Sequence, residues 1–195
     1  MKKIKFLFLF VIFINSNLLS QEDFNRNKKY FNISKFSLHH VRNISESIFI
    51  PSIGNFTNHY EKLNSFSYSI YSINGWFLFP WLSTGIGVGY EYQNTMKFNL
   101  MPIYLDLRTY LANDRNSFYF YVNGGIIYGL NKNIQKGILL DTGIGYKFFI
   151  KKNLCMVIGF GFNARTLLNI SGFPEPDPIH DFSLGSNSIN IGILF

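Results

Sequence analysis

Six ionisable side chains, Glu91, Asp106, Arg108, Asp141, Lys147 and Arg165, are the residues most able to act together. Each falls on the small, polar side of a segment whose other side is apolar. Carboxylates and guanidinium groups held at that spacing could carry an ion path or a proton relay, or could neutralise one another as buried pairs. The sequence favours the last. Asp106 or Glu91 would meet Arg108, and Asp141 would meet Arg165 or Lys147, as a structural network with no catalytic role. Other chemistry is weaker. His39, His40, His59 and His180, with Ser37 or Ser45, offer base and nucleophile types, but no nucleophile motif or orienting acid can be aligned with them. Phe173 to Asp181 holds four oxygen or nitrogen donors, and the prolines between them keep the chain extended, so no metal site is assigned. Gly85-Ile86-Gly87-Val88-Gly89 has glycines at strand spacing and no following helix, which excludes a phosphate loop. No cofactor is expected.

The elements that must position these side chains are strands. Ile86, Val88, Tyr90 and Tyr92 alternate with Gly85, Gly87, Gly89 and Glu91. Met101, Ile103, Leu105 and Leu107 alternate with Tyr104, Asp106, Arg108 and Tyr110. The same period of two runs through 118–129, 138–148, 156–165 and 189–195, giving each run one apolar face and one face of glycine, asparagine and charge. Two further strands are expected at 30–42, whose facing is ambiguous, and at 65–77, where Phe66, Tyr68 and Ile70 slip to Tyr71 and Ile73 as a β-bulge would cause. That makes eight.

The connections alternate in length. Those at 78–81, 112–116 and 151–153 are tight, while 43–64 and 168–184 read as long polar loops. Short turns at one end and long loops at the other fit an up-and-down barrel inserted in a membrane from one side. Glycine placement chooses the facing. A narrow eight-stranded barrel needs small residues inside, and the glycines share the face that carries the charges. The large residues therefore face outward. An eleven-residue strand rises about 36 Å, and a tilt of about 45° reduces this to roughly 25 Å, the height of a barrel's apolar band. Trp76, Phe77, Phe79, Trp81, Phe148, Phe149 and Phe195 gather near the short turns, as an interfacial aromatic girdle would.

Composition agrees. Phe 22, Tyr 12 and Trp 2 outnumber the 18 basic and 11 acidic residues together, and charged residues are 15%. So aromatic a chain cannot be disordered, and the single cysteine, Cys155, excludes a disulfide scaffold. Residues 1–20 follow the basic, apolar, small-residue order of a secretory signal peptide, with the apolar core Phe6 to Ile14 too short to span a bilayer. Removing Lys2, Lys3 and Lys5 leaves 15 basic against 11 acidic residues, about +4. The remaining cations are scattered, which argues against nucleic acid.

YFNIS at 30–34, INGWFLFPWLSTGIGVGYEY at 73–92, MPIYLDLRTYL at 101–111 and FYVNGGIIYGL at 120–130 resemble the small outer-membrane β-barrel family common in Bacteroidetes, similar in build to OmpX and the barrel of OmpA. The terminal Ile-Leu-Phe resembles the C-terminal phenylalanine signal read by the barrel-assembly machinery, which assigns that role to Phe195. The resemblance implies a location and a fold, and no single activity. The expectation is thus all-β: a signal peptide at 1–20, then an eight-stranded antiparallel transmembrane barrel at 21–195 in a Gram-negative outer membrane. It would contact outer-membrane lipids, carry a plugged polar lumen, and either stabilise the envelope or present 43–64 and 168–184 to an extracellular partner. A lipid A-modifying enzyme and a secreted soluble ligand-binding barrel are the alternatives.

Overall fold

A computed structural model describes residues 29–50, 54–94, 96–112, 116–131, 136–151, 154–170 and 179–195. The proposed signal peptide lies outside them. The described chain forms eight strands: β1 Lys29–Ile50, β2 Gly54–Phe79, β3 Leu82–Gln93, β4 Phe98–Tyr110, β5 Ser117–Gly129, β6 Lys136–Lys151, β7 Leu154–Ile170 and β8 Ile179–Leu194. Each pairs antiparallel with its sequence neighbour, and β8 pairs back to β1, closing an up-and-down barrel. The expected all-β, eight-stranded architecture is therefore observed.

The register fixes the geometry. A row of paired residues runs from Ile33 through Ile73, Gly87, Tyr104, Gly125, Leu139, Arg165 and Leu184, and returns to β1 at Ile44, eleven residues further along the strand. One of the eleven is Arg42, the extra residue in a bulge between Val41 and Asn43. A net stagger of about ten residues around eight strands tilts them by roughly 40°. The residues that meet across the barrel are therefore far apart in sequence.

Alternation places the two faces as the glycines require. Phe36, Leu38, Ile86, Leu105, Phe120, Leu140, Phe160 and Ile189 are exposed on the outer wall, whereas Glu91, Asp106, Arg108, Asp141, Lys147 and Arg165 are buried inside. Lys35, Ser37 and His39 point inward and Phe36 and Leu38 outward, which settles the facing of β1.

Three expectations are corrected. The bulge foreseen in 65–77 is absent, because β2 holds one register with β1 from Phe66 to Phe77. Tyr71 and Ile73 simply face inward, 2% and 0% exposed, since the lumen takes apolar side chains as well as polar ones. The segment 43–64 is not a long loop: β1 and β2 run on as a paired hairpin, Asn43 opposite Glu61 and Ile50 opposite Gly54, with only 51–53 between them. In 168–184, β8 already begins at Ile179 and pairs Asp181 with Ser47, leaving 171–178 as the connection. Polar serine and asparagine mimic loop composition in both segments, but cross-strand pairing supplies the backbone bonds that hold them as sheet. Within the aromatic group at the short turns, Trp76, Phe79 and Trp81 are more than half exposed, whereas Phe77 and Phe149 turn inward and pack on the core.

Candidate functional site

The barrel interior is layered. Towards the end with short turns lie Phe31, Ile33, Ile73, Tyr110, Tyr119, Cys155, Val157 and Leu194, with Phe77 and Phe149 against them. Towards the other end lie Val41, Ile44, Leu100, Ile127, Leu139, Leu167, Phe182 and Leu184. The ionisable residues occupy the space between and the lower margin. The expectation is a plug of ion pairs filling a polar lumen. Tyrosines and aliphatic layers fill as much of the lumen, because a buried charge is tolerated only with partners and the remaining volume must still be packed.

Two guanidinium groups organise the charges. Arg108 donates from Nε to Asp106 Oδ1 at 2.7 Å and from Nη2 to Oδ2 at 3.0 Å, a bidentate pair two residues apart on β4. The Asn123 amide, with its nitrogen turned towards Asp106, adds a donor at 2.8 Å. Arg165 joins two carboxylates from different strands. Its Nη1 pairs with Asp141 on β6, and its Nε and Nη2 each lie 3.3 Å from Glu91 Oε2 on β3. Glu91 also accepts from Tyr71 Oη at 2.9 Å and Gln93 Nε2 at 2.5 Å. Asp106 is thus brought to Arg108, and Asp141 to Arg165. Glu91 goes to Arg165, across the lumen. The Lys147 Nζ lies 5.0 Å above the Tyr110 ring and 4.6 Å above that of Phe149.

Lys35 and His39 were not foreseen as members of this interior. The Lys35 ammonium faces the rings of Tyr71, Tyr121 and Tyr104 at 4.9, 5.7 and 6.0 Å, a cation–π cage. His39 bonds Ser69 through Nε2 at 2.8 Å and Asn163 through Nδ1 at 3.1 Å. The alternation Ile33, Lys35, Ser37, His39 was the available signal, masked because isoleucine and lysine share one face.

The tyrosines fit because glycines face them. Tyr71 is paired with Gly89, Tyr104 with Gly87 and Gly125, Tyr119 with Gly145, and Tyr121 with Gly143. A Cβ on Gly87, Gly89 or Gly145 would run into the ring opposite, and one on Gly161 into the Tyr121 hydroxyl. The inner glycines are recesses into which aromatic rings lie, the aromatic rescue of glycine in a sheet. Asn190 Nδ2 holds the Tyr121 hydroxyl at 2.9 Å.

The candidate catalytic residues are dispersed. Ser37 and His39 are buried in the lumen, and His40 stands on the outer wall 5.2 Å from the Phe66 ring. Ser45 Oγ does meet His59 Nδ1, at 3.2 Å and exposed, but among the described residues no carboxylate bonds to that histidine. The His180 side chain and the donors at 175–177 lie outside the described side chains. Among the described residues no three potential metal ligands converge.

Above the barrel the wall is uneven. β1 pairs with β8 as far as Phe49 opposite Ile179 and with β2 as far as Ile50 opposite Gly54, while β3 reaches β2 only up to Ser67 opposite Gln93. The wall formed by β7, β8, β1 and β2 therefore rises on the order of 30 Å above the β3 rim at the hairpin tip. Across this extension Tyr60 Oη donates to Glu46 at 3.0 Å, and that carboxylate beside it pushes the phenol's pKa up.

These features define a class: a closed eight-stranded β-barrel with an apolar outer wall and with ion pairs and tyrosines buried inside. No family model matches the chain, and no curated protein does. Among solved structures it is similar to the outer membrane protein OprG from Pseudomonas aeruginosa, with a TM-score of 0.57 and 9% identity over 89% of this chain and 98% of that one. It is similar also to the outer membrane protein AlkL, solved in lipid bilayers, with a TM-score of 0.50 and 12% identity over 93% of this chain and 95% of that one. Neisserial surface protein A gives a TM-score of 0.47 at 14% identity over 84% and 95% of the two chains. At these identities the likeness is one of fold.

Proposed function

We propose that this chain is a non-enzymatic integral barrel of a Gram-negative outer membrane, closed to solute flow, that stabilises the envelope and presents its raised β1–β2 and β7–β8 wall outside the cell. The observation that carries the reading is the outer wall. Ile70, Ile86, Leu105, Phe118, Ile138, Ile144, Phe160 and Ile189, each 50% exposed or more, form a belt over β2 to β8 that Phe36 and Leu38 of β1 close. A contiguous apolar surface of that extent is stable against acyl chains and unstable in water. A secreted soluble barrel would need the opposite facing.

In this reading the network of Glu91, Asp106, Arg108, Asp141, Lys147 and Arg165 is structural, holding the lumen filled. Phe195, whose backbone exchanges hydrogen bonds with Asn32 at 2.8 and 3.0 Å, is the signal for the assembly machinery, and residues 1–20 are the export signal. The test is insertion. Protein folded into phospholipid vesicles migrates differently on electrophoresis before and after boiling, and resists protease except at the raised hairpin. A chain that remains in the aqueous fraction without detergent would overturn the assignment.

A further inference from the structure

The outer wall is not uniformly apolar. Low on β1 and β2, Asn32, Ser34, Ser72 and Asn74 alternate with the inward residues Phe31, Ile33, Tyr71 and Ile73, so their side chains lie on the outer face. Asn32 Nδ2 donates to Asn74 Oδ1 at 2.7 Å and to Ser72 Oγ at 3.1 Å, and Ser34 Oγ donates to Asn32 Oδ1 at 3.4 Å. Tyr30 Oη gives Asn74 Oδ1 a second donor. The Asn74 oxygen therefore accepts two bonds, while its Nδ2 has no acceptor among the described residues.

The neighbours of this amide set its depth. Ile86, opposite Asn74 on β3, and Ile193, opposite Ser34 on β8, belong to the apolar wall. Trp76 is 56% exposed and follows Asn74 by two residues, which is about 5 Å along the barrel axis for strands tilted by roughly 40°. Exposed tryptophan sits at headgroup level, so the Asn74 amide lies just inside it, where the ester carbonyls of a phospholipid are. An amide N–H left unpaired against hydrocarbon is costly. An ester carbonyl is the acceptor available at that depth.

Beside the amides the wall is hollow. Ser34 is small where its neighbours are large, and with Phe36, Ile70, Met156, Ile191 and Ile193 it lines a groove of about 420 Å³ whose walls are almost wholly apolar. That volume falls within the roughly 300–1,000 Å³ of ligand sites. Ser34 joins the two features, since it lines the groove and bonds to Asn32. Ile70 lies four residues from Asn74 on the side away from the short turn, so the groove runs from the unpaired donor towards the bilayer centre. A carbonyl at the head of a long hydrocarbon chain matches that arrangement. We propose that this face of β8, β1 and β2 is a binding site for one glycerophospholipid of the leaflet level with the short turns. Its acyl chain lies in the groove over Ser34, and its ester carbonyl accepts from Asn74 Nδ2. The proposal rests on the membrane-barrel reading, and it names a specific lipid contact where that reading needs only a surrounding lipid belt.

The test uses the full chain folded in detergent micelles with dipalmitoylphosphatidylglycerol, beside the diether analogue that keeps the chains and headgroup but has no ester carbonyl. Native mass spectrometry counts the lipids retained. The expected result is one lipid bound ahead of any others, with affinity about tenfold lower for the diether, the worth of one hydrogen bond. Ser34→Phe, which fills the groove, and Asn74→Leu, which removes the donor, should each weaken binding of the diester by a similar factor. The comparison of two lipids on the native chain needs no variant to fold. A diether that binds as tightly as the diester, or lipids that add without a favoured first one, would overturn the proposal. So would paired barrels that Ser34→Phe separates, because a second copy of the chain would then cover the groove. Boiling-dependent mobility of each sample reports on the barrel itself. An intact barrel without a favoured lipid overturns the site alone, whereas a native chain that forms no barrel in detergent overturns the membrane reading beneath it.

Discussion

At the residue scale, the interior depends on complementary pairs. Arg165 is 2% exposed and is the shared partner of Asp141 and Glu91. Arg165→Met should therefore cost about 3–5 kcal/mol, since it leaves two buried carboxylates uncompensated. Adding Asp141→Asn and Glu91→Gln should return part of that loss, read from urea unfolding midpoints in vesicles by tryptophan fluorescence. An Arg165→Met loss unaffected by the added neutral residues would show that the guanidinium acts by volume alone. The glycine recesses give a second case. A Cβ at Gly89 meets the Tyr71 ring and the Ile70 carbonyl, so Gly89→Val should destabilise by about 1–3 kcal/mol through overpacking. The penalty should shrink in a Tyr71→Ala background, and an unchanged penalty would place the strain in the backbone. Pairings of this kind were only half legible in the sequence. Alternation put the glycines and the charges on one face, but which ring lies over which glycine follows from register, and Glu91 reaches Arg165 only because the barrel closes.

At the scale of the element, each strand must present two chemistries at once. β8 does so with Ile189, Ile191 and Ile193 outside and Ser186, Ser188 and Asn190 inside. Ile189 sits midway along the apolar wall, and Ser183 lies above it, level with Ser45 and Thr166. Ile189→Arg should cost about 2–4 kcal/mol in a bilayer, and Ser183→Arg about 0–1, because the penalty of an outward charge decays from the midplane to the interface. Vesicle unfolding equilibria measure both, and equal costs would contradict the assigned depth. Strand existence and facing were readable from β3 to β8, where large apolar residues recur at every second position on the outer face, although Tyr104, Tyr119, Tyr121, Leu139 and Leu167 put large side chains on the inner face as well. The extended upper parts of β1, β2 and β8 were not. Asn43, Ser45, Ser47, Asn55, Thr57 and Asn58 have the composition of a loop, and only the ladder between Asn43–Ile50 and Gly54–Glu61 makes them sheet.

At the scale of the whole molecule, closure and tilt decide whether anything passes through. With Tyr71, Tyr104 and Tyr121 buried between two apolar layers, the protein reconstituted in a planar bilayer should give no stepwise ion conductance, in keeping with the narrow bore of eight strands. Replacing Tyr71, Tyr104 and Tyr121 by alanine should open a leak if those rings are the seal, and a conducting native barrel would refute the packed lumen. The sequence by itself determined the strand count and the sidedness of most strands, because side-chain period is a local property of the chain. It did not determine the connection lengths, since three residues, 51–53, separate β1 from β2 and six, 111–116, separate β4 from β5. The tertiary structure alone decided the stagger of about ten residues, the partners of each guanidinium, the tyrosine-in-glycine packing and the raised wall. Those depend on which residues, distant in sequence, come level when the eighth strand pairs with the first.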